Sequence, residues 1–261
     1  MSTTNYFFPD VTLLITHYNR SSSLERLLQT FKERSCKFGD IVVSDDGSLP
    51  EHLEAVKELE NRYSFQLITT QKNKGLGNNI NKGQDAVKTP YTLYVQEDFI
   101  PTSVFANHFL DAVNIMSSDT KWDLVRFYAY SPYPYLKPFD KGFSEMVYSR
   151  WGLKTMKLHY YSDHPHLRRS NFLEKFGRYP EHLNSRKTEY TKCVSFIQKK
   201  GKGLFFNEFK TLFIQENSAT EPSTWTEKRW RTSNNPMISL VRKTYRQVKY
   251  NYDVNFKRVP S

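Results

Sequence analysis

An α/β fold is the class this chain predicts, and three observations carry it. Short apolar runs that read as strands recur through the first 130 residues. Between them, apolar residues repeat at helical spacing. Two of the runs, residues 41–43 and 93–95, stop at carboxylates, in Asp45-Asp46-Gly47-Ser48 and in Gln96-Glu97-Asp98. Strand alternating with helix argues for a parallel sheet with right-handed crossovers, not for a sandwich or a bundle. Ligands of such a sheet lie beyond the carboxyl ends of its strands, so two strands ending in acids bring those acids to one crevice.

Each element follows in order. Residues 11–16 read as a buried strand, and Leu24, Leu27, Leu28 and Phe31 then share a helical face, with Ser22 and Glu25 forming a capping-box pattern at its start. Residues 41–44 make a second strand, and Ser48, Pro50 and Glu51 open a helix whose Leu53, Val56 and Leu59 lie together. A third strand covers residues 65–69. After Asn73-Lys-Gly-Leu-Gly, where the glycines shape a turn, Leu76, Ile80 and Val87 share a face, and Pro90 precedes a strand at 92–95. Pro101 starts a helix running to about Met116, and residues 122–129 read as a further strand. Residues 130–138 hold three prolines and read as a crossing loop, because proline cannot continue a central strand. Residues 143–161 are rich in aromatic and β-branched types, 172–176 are helical, 189–200 form a helix ended by Gly201, and 204–206 and 211–215 are short strands.

Composition bounds the function. The 261 residues, 38% of them hydrophobic, suffice for one large α/β core. Cys36 and Cys193 lack metal-ligand or CxxC spacing and read as free thiols of a reducing compartment. No stretch approaches the roughly 18 apolar residues of a membrane span, and the first residues show no signal-peptide pattern, so a cytoplasmic protein is expected. The net charge of +11 is uneven: from Lys228 onward nine Lys or Arg face one acid, Asp253, a net +8. The mildly basic remainder suits anionic small molecules better than nucleic acid.

Four segments together carry a family resemblance: Val11-Thr-Leu-Leu-Ile-Thr-His-Tyr-Asn-Arg20, Ile41-Val-Val-Ser-Asp-Asp-Gly-Ser48, Asn73-Lys-Gly-Leu-Gly and Val95-Gln-Glu-Asp98. In order and spacing the chain resembles family 2 glycosyltransferases of the GT-A fold, closely in its first half and more loosely in its second. The resemblance implies a mixed sheet flanked by helices, and transfer of a sugar from a nucleotide diphosphate donor to an acceptor hydroxyl with inversion. Donor contacts then fall on Thr16, Tyr18 and Asp46 for the base, and on Asn81 and Glu97 for the rest of the nucleotide sugar, while Asp45 either contacts the ribose or holds the turn. A carboxylate at Asp46 suits an imide N–H, which makes UDP the expected donor nucleotide. Asp98 takes the place of the metal ligand for Mn2+ or Mg2+, hard cations that accept one or two carboxylates while bridging substrate phosphates.

The family's catalytic base lies in an acidic pair opening a helix after a Gly-Tyr turn. Gly177-Arg-Tyr-Pro-Glu-His and Thr188-Glu189-Tyr190, with Gln198-Lys-Lys-Gly201 behind them, place it at Glu189. The chain departs from the pattern at Gln96 and Thr188, where acids are usual, and at Ile80, where an Arg is common. It also has Gln215 or Glu216 where a late His can occur. His159, His164 and His166 lie near Asp163, but without helical i, i+4 spacing they read as an acceptor-side loop, not a zinc site.

Residues 1–220 are therefore expected to form one glycosyltransferase domain, with a donor half at 1–130 and an acceptor half at 131–220, followed by a basic extension at 221–261. In that extension Ile238, Val241, Tyr245 and Val248 form a helical stripe amid Arg242, Lys243, Arg246 and Lys249. Residues 228–258 could lie on an anionic membrane surface, making the enzyme peripheral to the cytoplasmic membrane and its acceptor a glycan or lipid-linked sugar. They could equally form a packed helix or dimer contact. Nucleic-acid binding is not expected. The alternatives in function are a nucleotide-sugar-binding scaffold without activity, suggested by the three departures, and a nucleotidyltransferase, which would want a basic glycine-rich loop after the first strand.

Overall fold

The computed structural model describes residues 5–149, 152, 154–217, 221 and 236–257. A nine-stranded sheet runs through it. In chain order the elements are β1 (Tyr6–His17), α1 (Ser21–Glu33), β2 (Cys36–Asp45), α2 (Pro50–Tyr63), β3 (Gln66–Ile68), α3 (Leu76–Asp85), β4 (Tyr91–Gln96), β5 (Phe99–Pro101) and α4 (Phe105–Ser118). There follow β6 (Leu124–Arg126), β7 (Leu136–Pro138), β8 (Phe143–Met146), a 3-10 turn at Thr155–His159, β9 (His166–Arg169), α5 (Phe172–Phe176) and α6 (Ser185–Gln198). The last are β10 (Gly203–Phe206), β11 (Phe213–Gln215) and α7 (Pro236–Phe256). Spatial order is β3-β2-β1-β4-β9-β6-β10-β8-β7, with β11 and β5 paired apart from it.

The first four strands of that order are parallel, as the alternation of elements requires. Because side chains alternate across a strand, each central strand serves two cores. Leu13, Ile15, Val43, Leu93 and Val95 face α1, α2 and α4, where Leu24, Leu27, Val56 and Phe109 meet them. Leu14, Val42 and Tyr94 face the other way, toward Ile80, Phe172, Phe176 and Phe196 of α3, α5 and α6. Strands buried on both faces read as continuous apolar runs, which is why β1, β2 and β4 are visible in the sequence.

Several expectations are corrected. Pro101 ends β5 rather than starting a helix, and α4 begins at Phe105. The strand expected at 122–129 is three residues long. α6 begins at Ser185, so Glu189 sits past its first turn. The Ser22/Glu25 capping box does not form: the Glu221 carboxylate accepts from the Ser22 and Ser23 amides, each at 3.0 Å, and from the Ser23 hydroxyl at 2.6 Å. A carboxylate at that end satisfies donors the helix cannot and complements its dipole.

The largest difference is β9. His166 does not lie in a loop; it sits in a strand antiparallel to both β4 and β6, at the centre of the sheet. Its His-Leu-Arg-Arg sequence is tolerated there because Arg168, fully buried, donates to Gln84 Oε1 at 2.7 Å and to the Tyr179 hydroxyl at 2.7 Å. A buried cation held by hydrogen bonds of this kind carries no apolar periodicity for a sequence reading to find.

α7 packs one face on α6 and on the 155–159 turn. Gln198 Nε2 donates to the carbonyls of Asp253, Val254 and Lys257, and Lys157 Nζ reaches Asn251 Oδ1 at 2.9 Å. Val241, Tyr245, Val248 and Tyr252, four positions of one stripe, are each more than 60% exposed on the other face. The basic residues at 228, 229, 231 and 258, and the Ile238 side chain, lie outside the described residues.

Candidate active site

β1 and β2 end side by side, with His17 opposite Asp45 in the ladder. The Arg20 amide donates to His17 Nε2 at 3.1 Å, so Nε2 is the accepting nitrogen and Nδ1 carries the proton it gives Asp45 Oδ1 at 2.8 Å. The Gly47 and Ser48 amides donate to Asp45 Oδ2 at 3.0 and 3.1 Å, the Thr69 hydroxyl to the same oxygen at 2.7 Å, and the Ser48 hydroxyl to Oδ1. Burial works against the charge of Asp45, yet the hydrogen bonds from His17, Ser48 and Thr69 outweigh it and hold the carboxyl far below its usual range. Gly47 closes the turn at φ +70°, where a Cβ would lie 2.5 Å from the Lys72 carbonyl carbon.

Asp46 faces the other side of that turn. The amides of Lys74 and Gly75 donate to its Oδ1 and Oδ2, each at 2.9 Å, drawing the Asn73-Lys-Gly loop against the end of β2. Each oxygen keeps accepting capacity for a further donor. Burial raises the Asp46 pKa, opposed by those two amides and by Lys82. Lys82 Nζ donates to the Asp45 carbonyl and, at 2.9 Å, to Asn79 Oδ1; burial pushes its pKa down to about 8 against the pull of both carboxylates. Lys82 thus lies under the acid pair.

The remaining donor candidates divide. The Thr16 hydroxyl lies 3.0 Å from the Tyr94 hydroxyl at the end of β1, and Tyr18 follows it half-buried. Asn81 is buried and exchanges hydrogen bonds with the Tyr179 backbone, both at 2.9 Å, while its Nδ2 also reaches Glu181 Oε1 at 3.0 Å. It ties α3 to the turn after α5. Gly77 allows that approach: a Cβ there would meet the Pro180 carbonyl oxygen at 2.2 Å. Ile80, in place of the family's Arg, is buried in the core beneath.

Glu97 and Asp98 follow β4, beside the ends of β1 and β2. The Arg20 guanidinium lies 3.7 Å from Glu97 Oε1 and 3.4 Å from Asp98 Oδ2, and Gln215 Nε2 donates to Asp98 Oδ2 at 2.9 Å. Burial and the neighbouring Asp98 charge push Glu97 up to about 8, against the pull of Arg20. Asp98 Oδ1 is buried and has no hydrogen-bond partner. A buried carboxylate oxygen left without a donor suits a hard divalent cation, and Asp98 therefore fits the metal position. Among the described residues no group of three or more His, Cys, Asp or Glu is placed to hold a metal ion. The Gln215 side chain, not that of Glu216, reaches the Asp98 carboxylate: the Glu216 amide donates to the Asp98 carbonyl at 2.8 Å, while its carboxylate turns to Arg26 at 3.5 Å.

Glu189 reaches the site from α6. The Ser162 hydroxyl donates to Glu189 Oε1 at 2.7 Å, and since that hydroxyl has one proton, His164 Nδ1, 2.9 Å away, must be the donor to Ser162. Burial holds His164 down at about 4, against the pull of the Glu189 charge. Beside them Asp163 is raised well above its usual range by burial and then by the Glu189 charge. Glu189 itself is held below its ordinary value: burial opposes its charge, but His164, Ser162, Asp163 and His159 together prevail. Of the two carboxyls, Asp163 is pushed toward keeping its proton and Glu189 toward its charged form, the state a base candidate needs. Ser162, Asp163 and Arg126, whose buried guanidinium faces Glu189 and donates to the His159 carbonyl, were not found as site residues from sequence. An acid pushed toward keeping its proton next to a base candidate shows no linear motif.

A mixed sheet flanked by helices that gathers acids beyond neighbouring parallel strands has the architecture of a GT-A glycosyltransferase. A match to glycosyl transferase family 2 spans residues 12–177, and the chain belongs to that family. The cholesterol galactosyltransferase of Borreliella burgdorferi is 31% identical over 88 residues, 34% of this chain and 25% of that protein. The chain thus matches about a quarter of the length of its curated relatives. Staphylococcus aureus TarS 1–349 in complex with UDP-GlcNAc superposes with a TM-score of 0.59 at 13% identity, covering 94% of this chain and 73% of that 1–349 chain. The mannosyltransferase PcManGT of Pyrobaculum calidifontis, in complex with GDP-Man and Mn2+, gives 0.55 at 13% identity over 81% of this chain and 59% of its own. These likenesses establish the GT-A fold.

Proposed function

We propose that this chain is an inverting, metal-dependent glycosyltransferase that takes a sugar from a nucleotide diphosphate donor, UDP-linked, to an acceptor hydroxyl in bacterial polysaccharide or lipopolysaccharide assembly. The observation that carries the reading is the convergence of Asp45, Asp46, Glu97 and Asp98 beyond three adjacent parallel strands. Asp46 retains accepting capacity for the imide of uracil, Tyr18 supplies a ring for the base, and Thr16, Asp45, Asn81 and Glu97 shape the rest of the donor site. Asp98 would hold Mn2+ or Mg2+, whose chemistry there is to neutralise charge on the departing diphosphate. Glu189 takes the acceptor hydroxyl proton as that oxygen attacks the anomeric carbon, and the bond from that carbon to the diphosphate oxygen breaks with its electron pair on the diphosphate.

Support also comes from neighbours of the same fold that carry UDP-GlcNAc and GDP-Man. Calorimetric titration with UDP and with GDP, each with and without Mn2+, tests the donor site: metal-enhanced UDP binding is expected, and binding of neither nucleotide would sink the reading. Glu189→Gln should cut transfer by roughly 10³-fold while leaving UDP affinity unchanged.

A scaffold without activity is the second reading, favoured by Thr188, whose hydroxyl is spent on the Pro180 carbonyl at 3.2 Å where an acid is usual. Undiminished transfer by Glu189→Gln would remove this base, and no transfer by the wild type to any acceptor tried would favour the scaffold.

Among the described residues no helix is long and apolar enough to cross a membrane. The exposed stripe of α7 and its basic neighbours support peripheral attachment to an anionic bilayer at the cytoplasmic face. Flotation with vesicles containing phosphatidylglycerol should carry the protein, and a Val241→Ser, Tyr245→Ser, Val248→Ser triple variant should stay behind.

A further inference from the structure

Tyr130 lies beyond β6, between the two chemical ends of the site, and is 60% exposed. Exposed single aromatics are common and need no explanation by themselves. This one is braced. Its hydroxyl donates to Gln215 Oε1 at 2.7 Å, and the amide of the same Gln215 donates to Asp98 Oδ2. Its ring stands nearly perpendicular to His164, with centroids 4.7 Å apart, and to Tyr128 at 5.8 Å. His164 in turn reaches Glu189 through the Ser162 hydroxyl. One ring is thereby fixed, through two short chains of contacts, to the metal-suited carboxylate on one side and to the base on the other. Burial raises the pKa of its hydroxyl, and the hydrogen bond to Gln215 opposes that.

We propose that Tyr130, backed by His164 and Tyr128, is the platform on which a pyranosyl ring of the acceptor stacks. This rests on the transferase reading above. The acceptor oxygen must lie between the leaving diphosphate and the base, and Tyr130 stands between the residues assigned to those two roles. A pyranose has the matching surface. Its axial C–H bonds carry slight positive charge and suit the negative face of an aromatic ring, while its equatorial hydroxyls need polar partners at the rim. Gln215, Asp163 and Asp98 supply such partners. A lipid chain on the same ring would instead desolvate those polar groups without pairing them. The edge contacts with His164 and Tyr128, which a phenylalanine would keep, hold the ring in place, and a side chain fixed beforehand loses little entropy on binding.

Saturation-transfer NMR on the full chain, with UDP and Mn2+ present, tests this with methyl β-D-glucopyranoside and methyl β-D-galactopyranoside as probes. At least one should show transfer to its ring C–H protons. Tyr130→Phe should keep it, and Tyr130→Ala should weaken binding at least about tenfold, with UDP affinity and melting temperature unchanged in both. No transfer to either probe in the wild type, undiminished transfer in Tyr130→Ala, or equal loss in Tyr130→Phe would each overturn the platform. UDP binding without pyranoside binding leaves the transferase reading standing and removes only the platform. Pyranoside binding without UDP binding removes the transferase reading, and the acceptor assignment falls with it.

Discussion

The two acid clusters of this protein are built in opposite ways. Asp45 has every lone pair it can offer engaged by His17, Ser48, Thr69 and the turn amides. Asp98, beyond the next strand but one, has one oxygen shared by Gln215 and Arg20 and the other without a partner. Both are buried, so solvation does not separate them. Saturation does: a buried carboxylate with all its donors present is a piece of architecture, and one short of donors is held ready for something that arrives. Glu189 and Asp163 repeat the contrast at shorter range, one hydrogen-bonded and pushed toward its charged form, the other pushed toward keeping its proton.

Substitution should break the two clusters differently. Asp45→Ala strands five donors in a site closed to water, and should cost about 3–5 kcal/mol of stability by urea unfolding, with transfer lost through the fold. A loss below about 1 kcal/mol would mean that saturation is not what holds this turn. Asp98→Asn should show the reverse: transfer and metal-enhanced UDP binding reduced about 10²-fold or more, without the stability loss of the first variant. If Asp98→Asn unfolds as readily as Asp45→Ala, the contrast between the clusters is void.

Glu221 sharpens the comparison from outside the pocket, because it too is an acid fully engaged by donors. Glu221→Ala should cost about 1–2 kcal/mol with little effect on donor affinity. Its pKa is set against burial by the Ser23 and Ser22 hydrogen bonds, which hold it below the ordinary 4.5. The unfolded chain therefore takes up this proton first as pH falls. The stability gap between wild type and variant should be full at neutral pH and should close below pH 4.5, as the folded carboxylate finally protonates. Unfolding midpoints of both proteins between pH 7 and pH 3 measure it.

How much of this was legible depended on whether the signal was local. β1, β2 and β4 were found because strands buried on both faces are apolar throughout, and the place of Asp46 and Asp98 just beyond strand ends because a strand ending in acid stands out. β9 was missed for the converse reason: Arg168 is buried by pairing with Gln84 and Tyr179, partners brought together only by the fold. Glu189 was reached by resemblance, but the Ser162, His164 and Asp163 around it come from a segment without periodicity. The capping box at Ser22 was a sound local pattern that lost to a better acceptor about 200 residues away.

That distant acceptor has a consequence in time. The donors at the start of α1 are made early in synthesis, and the carboxylate that satisfies them follows 199 residues later. At about 5–20 residues per second this is a wait of roughly 10–40 s, during which the first helix is held by its apolar face alone. The amino end of α1 is thus among the last parts of the molecule that can be completed. A nascent chain stalled before Glu221 should expose the Ser22 and Ser23 amides to hydrogen exchange while the centre of α1 is already protected.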